Sequence, residues 1–121
     1  MKVLINRSYG EIRLTRAVYN ALGASWPNNA TGWGRADDQT RPKNGDFGIN
    51  STDPHAWRYD TCLIETVEKI GLEKSGGRDV ELMIVDIPDG VDWEIWDYDG
   101  KESVHEKHRF WPAERDFLSF L

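Results

Sequence analysis

Seven carboxylates crowd the stretch from Asp86 to Glu102: Asp86, Asp89, Asp92, Glu94, Asp97, Asp99 and Glu102. His105 and His108 follow directly. Paired carboxylates can divide acid and base roles or hold a divalent ion, and an adjacent imidazole can move protons. The spacing argues otherwise. Acids that alternate along a strand form a solvated face that also discourages edge pairing, and several of these sit at turn positions. His105-Glu106-Lys107-His108 superficially suggests a zinc site. The helical H-E-x-x-H motif needs histidines four apart, whereas these are three apart on a strand and point to opposite faces. No metal or other cofactor is expected.

Other chemistries are equally incomplete. Cys62 falls in the first turn of an expected helix with no histidine near it in sequence, and reads as a buried or half-buried structural residue. G-W-G-R-A-D and K-S-G-G-R-D match neither the dinucleotide fingerprint nor the P-loop, although Arg78 could face an anion. The remaining set is basic and aromatic. Asn6, Arg7 and Tyr9 lie beyond the carboxyl end of the first strand, where ligands commonly bind. Lys107, His108 and Arg109 follow the last strand, and Trp26 and Trp33 occupy a long loop. Arginine pairs with phosphate or carboxylate, and aromatic faces stack bases. These eight residues form the expected ligand-binding set. The competing reading has Arg7 and Arg109 bridging local acids while the tryptophans fill the core.

The elements that must position them follow from periodicity. Val3–Ile5 is a short buried strand. Leu14, Ala17, Val18, Ala21 and Leu22 recur at helical spacing, and Gly23 closes that helix. Residues 24–57 lack periodicity and read as one long irregular loop, pinned by Trp26, Trp33, Phe47 and Trp57. A second helix starts at an Asp60 cap, carries Leu63, Ile64, Val67 and Ile70, and stops at Gly71. Residues 80–87 read as a central strand, apolar on both faces from Leu82 to Val85 and paired with Val3–Ile5. Val91, Trp93 and Ile95 alternate with Asp92, Glu94 and Trp96, Asp99-Gly100 makes a hairpin turn, and Lys101–His105 returns. The expected fold is one α+β domain over residues 1–121. It has a small, mostly antiparallel sheet, a C-terminal β-hairpin and two helices packed on one face.

Charge bounds the partners. Residues 1–59 carry eight Lys/Arg against five Asp/Glu, and residues 60–121 carry seven against sixteen, giving a net charge of −6. So acidic a chain does not suit direct nucleic-acid binding. No segment is long and apolar enough to span a bilayer, and the first residues do not make a signal peptide, so a cytoplasmic protein is expected. A homo-oligomer is compatible with this composition.

M-K-V-L-I-N-R-S-Y-G, L-I-E-T-V-E-K-I-G and I-P-D-G-V-D-W-E-I-W-D-Y-D-G-K-E-S-V-H-E-K-H-R-F-W carry a resemblance. They look like a family of small proteins that recurs in tailed-bacteriophage genomes and prophages. The likeness covers residues 1–10 and about 58–111, and excludes the region 24–57 and the tail 112–121. It implies a phage source and action in the host cytoplasm, with no implied mechanism. The leading expectation is a non-enzymatic binding protein that counters a bacterial defence system. Its partner would be a nucleotide-like small molecule sequestered in a basic-aromatic pocket, or a host defence protein blocked through the acidic hairpin. The alternatives are a small hydrolase of a nucleotide or ADP-ribose-like compound, using an acid with His108, and a virion or assembly component.

Overall fold

The computed structural model describes residues 1–27 and 39–106. In chain order these form β1 (Lys2–Asn6), β2 (Leu14–Thr15), α1 (Arg16–Leu22), β3 (Gln39–Thr40), α2 (Thr61–Ile70), α3 (Leu72–Ser75), β4 (Leu82–Asp86), β5 (Trp93–Tyr98) and β6 (Lys101–Glu106). Two 3₁₀ turns, Asn44–Phe47 and Ala56–Tyr59, lie between β3 and α2. The fold is α+β, built of small antiparallel sheets with a C-terminal hairpin.

β1 is covered on both sides, which explains why Val3, Leu4, Ile5 and Asn6 are all buried. It pairs antiparallel with β4, Val3 opposite Val85 and Ile5 opposite Met83. Alternate side chains leave a strand on opposite faces. Leu4, with Leu82 of β4, joins Val18 and Tyr19 of α1 and Leu63, Ile64 and Val67 of α2 in one core. Val3, Ile5 and Ile87 form a second core against Trp93, Ile95 and Val104 of the hairpin. The result is three layers: helices, the β1–β4 pair, and the β5–β6 hairpin. Fully burying one such aliphatic side chain contributes about 1.5–3 kcal/mol.

Several expectations change in detail. β4 has β1 as its single strand neighbour among the described residues, so it is not a central strand, and Met83 is exposed. Leu14 and Thr15 belong to β2, facing Thr40 and Gln39, because Leu14 also bridges Gly76; the helix starts only at Arg16. Gly23 closes α1 in the left-handed conformation at φ 73°, as its position suggested. Asp60 caps α2 by accepting from the Leu63 amide at 3.0 Å. Cys62 is exposed, a correction to its structural reading: the buried face of α2 is set by Leu63, Ile64 and Val67, and Cys62 lies off it.

The described part of the long loop is organised by side chains rather than by periodic structure. Asn44 donates to the Asp53 carbonyl and accepts from the Trp57 amide, both at 2.9 Å. Tyr19 reaches out of the helical core to donate its hydroxyl to Asp46 at 2.7 Å. Burial, reinforced by Asp46, pushes the Tyr19 phenol pKa up, so it stays a protonated donor. Trp26 and Phe47 pack against the same ring.

Candidate functional site

The hairpin is held against β1 by a buried ion pair. Met1 O and Arg7 N bond to Ile87 N and Glu81 O, the residues that flank β4, so the backbone groups of Leu4 and Asn6 face the other edge of β1. No strand pairs with that edge among the described residues. Arg58, from the second 3₁₀ turn, and Glu102, from β6, take the strand's place. Arg58 Nη1 donates to the Leu4 carbonyl at 3.1 Å, and the Asn6 amide donates to Glu102 Oε1 at 2.8 Å. The two side chains meet in a fork, Nη1 to Oε1 at 2.7 Å and Nη2 to Oε2 at 2.8 Å. Their side chains are 5% and 6% exposed. Glu102 thus corrects the reading of every hairpin acid as solvated. It opposes Asp97 and lies on the same hairpin face as Val104 and Ile95, pointing inward.

Arg58 also orients His55. Its Nε donates to His55 Nδ1 at 3.1 Å, and since arginine only donates, Nδ1 must accept. The imidazole is therefore neutral, with its proton on Nε2. Burial first, and the Arg58 charge second, lower the His55 pKa below the ordinary histidine value, against smaller opposing effects of Asp53 and Glu102. Nε2–H is a donor, so this tautomer offers no base. Asp53 accepts from the His55 amide at 2.9 Å and from the Tyr59 hydroxyl at 3.0 Å. Burial, then Asp53, raise the Tyr59 pKa. Tyr59 in turn meets Trp93 of β5 edge-on, with ring centroids 5.8 Å apart.

Between these two walls runs an open groove of about 540 Å³. Asp53, His55 and Tyr59 line one side, Val91 to Ile95 line the other, and Met1 closes part of it. Its chemistry is acidic and aromatic, with carboxylates from Asp53 and Asp92 and, at the rim, from Glu94.

On the outer face of the hairpin the side chains of Trp96 and Tyr98 stand beside those of Ser103, Lys101 and His105. Trp96 stacks on His105, with centroids 3.7 Å apart and planes 19° apart, and donates Nε1–H to Glu94 at 2.9 Å. Ser103 hydroxyl and His105 Nε2 are 2.8 Å apart.

The expected ligand-binding residues separate into groups. Asn6 is fully buried, and its amide is committed within the protein: Nδ2 donates to the carbonyls of Ser8, Gly10 and Gly100, and Oδ1 accepts from Ser8 and from the Glu81 amide. It holds the hairpin tip onto the Ser8–Gly10 turn rather than presenting itself to solvent. Tyr9 is exposed on that turn, 6.4 Å from Tyr98, with the Lys101 ammonium 5.5 Å from its ring. Arg7 is half-exposed and 3.9 Å from Glu81. Trp26 joins none of these; it packs on Tyr19 and lies under the Arg16 guanidinium. Trp33, Lys107, His108 and Arg109 lie outside the described residues, so of the H-E-K-H histidines only His105 is described. Among the described residues no group of three metal-binding side chains converges, and no helix is long and apolar enough to cross a membrane.

Sequence reasoning missed Arg58, His55 and the groove. Arg58 carries no local signature, because its partner lies 44 residues away. Compared with known proteins, the chain matches no family model, no curated protein and no solved structure.

Proposed function

We propose that this protein works by binding rather than by turnover, as a phage-encoded protein that counters a bacterial defence system by blocking a host protein. One observation carries the binding reading: three large aromatics are held out into solvent at one end of the molecule. Tyr9 is 60%, Trp96 55% and Tyr98 71% exposed. Tryptophan and tyrosine are the side chains most enriched at interface hot spots, and a rigid one costs little entropy to dock. These are held in place before any partner arrives, Trp96 by His105 and Glu94, Tyr9 by Tyr98 and Lys101. The phage and defence setting rests on the sequence resemblance.

Among the described residues, two committed arginines and an acidic groove favour the protein-blocking form over nucleotide sequestration. A phosphate needs free donors, yet the Arg58 fork is spent on Glu102, and Arg41 lies 3.3 Å from Glu11. The groove beside the hairpin is lined by carboxylates, which repel phosphate.

The test is a plating assay. Bacterial strains each carrying one defence system are challenged with a phage that the system restricts, with and without this protein. Plaque formation is restored in at least one strain, and Trp96→Ala combined with Tyr98→Ala abolishes that rescue without lowering Tm. Multiple turnovers of a nucleotide by catalytic amounts of the protein would overturn the proposal. So would rescue that the double variant leaves intact.

A further inference from the structure

Among the described residues the outer edge of β5 pairs with no strand. Asp99 and Gly100 have φ of 53° and 90°, the signature of a two-residue type I′ turn, so Tyr98 and Lys101 exchange backbone hydrogen bonds across the hairpin. Bonded and non-bonded pairs alternate along an antiparallel ladder. Trp96 and Glu94 therefore bond β6, while the N–H and C=O groups of Trp93 and Ile95 point away from it. Among the described residues no backbone group bonds these atoms in return. Both residues are half-buried and line the groove opposite Asp53, His55 and Tyr59. An unpaired strand edge with a cleft alongside is a template for one more strand. Its volume of about 540 Å³ is that of a ligand-sized cleft.

We infer that this groove takes an extended, basic peptide segment of the partner protein, added as a third strand on the open edge of β5. The inference rests on the binding reading above. Charge selects the occupant. Asp53 and Asp92 line the groove, the Glu94 carboxylate stands at its rim on the outer hairpin face beside Trp96, and Arg58 holds His55 in its neutral form, so no imidazolium offsets them. Among the described residues the Met1 ammonium is the one cation in the lining, and it already lies 3.5 Å from both Asp86 and Asp89. A second copy of β5 would set one strand carrying Asp92, Glu94 and Asp97 against another with the same acids, and like charges across a strand pair are destabilising. Lysine or arginine on the incoming strand meets opposite charge, while its intervening apolar side chains pack on Trp93 and Val91.

The probes are three end-blocked hexapeptides: alternating Arg-Val, alternating Glu-Val, and the Arg-Val peptide N-methylated at alternate residues so that one edge cannot donate. Binding is followed by calorimetry and by amide exchange at Trp93 and Ile95. The Arg-Val peptide binds and slows exchange at both amides at least tenfold. The Glu-Val peptide binds at least tenfold more weakly, as does the N-methylated one. Asp92→Asn with Glu94→Gln, both surface changes, weakens the Arg-Val peptide at least threefold. Equal affinity for the acidic peptide overturns the inference, as does binding that leaves the two amides unprotected, or no binding at millimolar peptide. Protection that grows with protein concentration alone assigns the edge to a second copy and also overturns it. Trp96→Ala with Tyr98→Ala retains peptide binding while losing rescue in the plating assay. Failure of the groove and failure of the proposed function are thereby read separately.

Discussion

Replacing Glu102 tests the device that fastens the hairpin. Glu102→Ala removes both oxygens of the fork and leaves the Arg58 guanidinium, itself 5% exposed, without its counter-ion. Breaking a buried pair from one side costs about 3–5 kcal/mol. Glu102 also accepts the Asn6 amide, so the loss falls at the upper end of that range. Since a domain of this size holds about 5–15 kcal/mol in all, Glu102→Ala can unfold the protein outright. Glu102→Gln is the gentler probe: it keeps the shape and one acceptor but still leaves the guanidinium without its counter-ion, so it costs about 3 kcal/mol, the lower end of the range for a broken buried pair. The decisive variant is Arg58→Met with Glu102→Leu. Ordinary buried pairs can be exchanged for apolar residues at little cost. Here the exchange strands the Leu4 carbonyl and the Asn6 amide, at about 1–3 kcal/mol each, so the double variant loses about 2–6 kcal/mol. Urea unfolding monitored by tryptophan fluorescence measures all of them. A double variant as stable as the wild type would refute the idea that this pair closes the edge of β1.

Two further outcomes follow from the same geometry. The His55 pKa is depressed when folded, so the unfolded chain binds its proton first, and stability is lost as pH falls through the unfolded value of about 6.5. His55→Asn, whose side-chain oxygen can still accept from Arg58, removes this component: thermal melts of the two proteins converge between about pH 7 and pH 5, and parallel curves would remove His55 from that role. At the hairpin tip, a Cβ on Gly100 would run into the Gly10 backbone and sit at φ 90°, whereas one on Gly90, at φ 82°, meets nothing. Gly100→Ala therefore costs more than Gly90→Ala, which pays only the left-handed penalty of about 1–2 kcal/mol. The excess, about 1–2 kcal/mol, is the loss of the Asp99–Gly10 and Asn6–Gly100 hydrogen bonds, and equal urea midpoint shifts would show the tip is not clamped.

What the sequence disclosed depended on how far apart the deciding residues lie. The hairpin was legible because Asp99-Gly100 sets its own turn locally, and the second helix because Asp60, its apolar stripe and Gly71 are neighbours on the chain. The pairing of β1 with β4 was legible from two apolar runs with few alternatives. The start of α1 was misplaced because Leu14 fits a helical period locally but is claimed by Thr40 and Gly76, both remote. The 3₁₀ turns and the Asn44 contacts bind residues that show no period at all.

Glu102 is the instructive case, since half of its role was within reach. A two-residue turn at Asp99-Gly100 fixes Asp97 opposite Glu102 and Ile95 opposite Val104. Parity then places Glu102 on the apolar face, where a carboxylate needs a cation. Counting acids as a group hid this; following each side chain through the register exposes it. The identity of the cation remains a tertiary fact, because Arg58 sits in an aperiodic turn whose position depends on Asn44, Trp57 and β1 together. The same dependence explains the groove. Its walls come from Asp53–Tyr59 and Val91–Ile95, two segments that neither pair nor share a period, and the Arg58–Glu102 fork sets them side by side. The ion pair that substitutes for a strand on β1 therefore also places the open edge of β5 against an acidic wall.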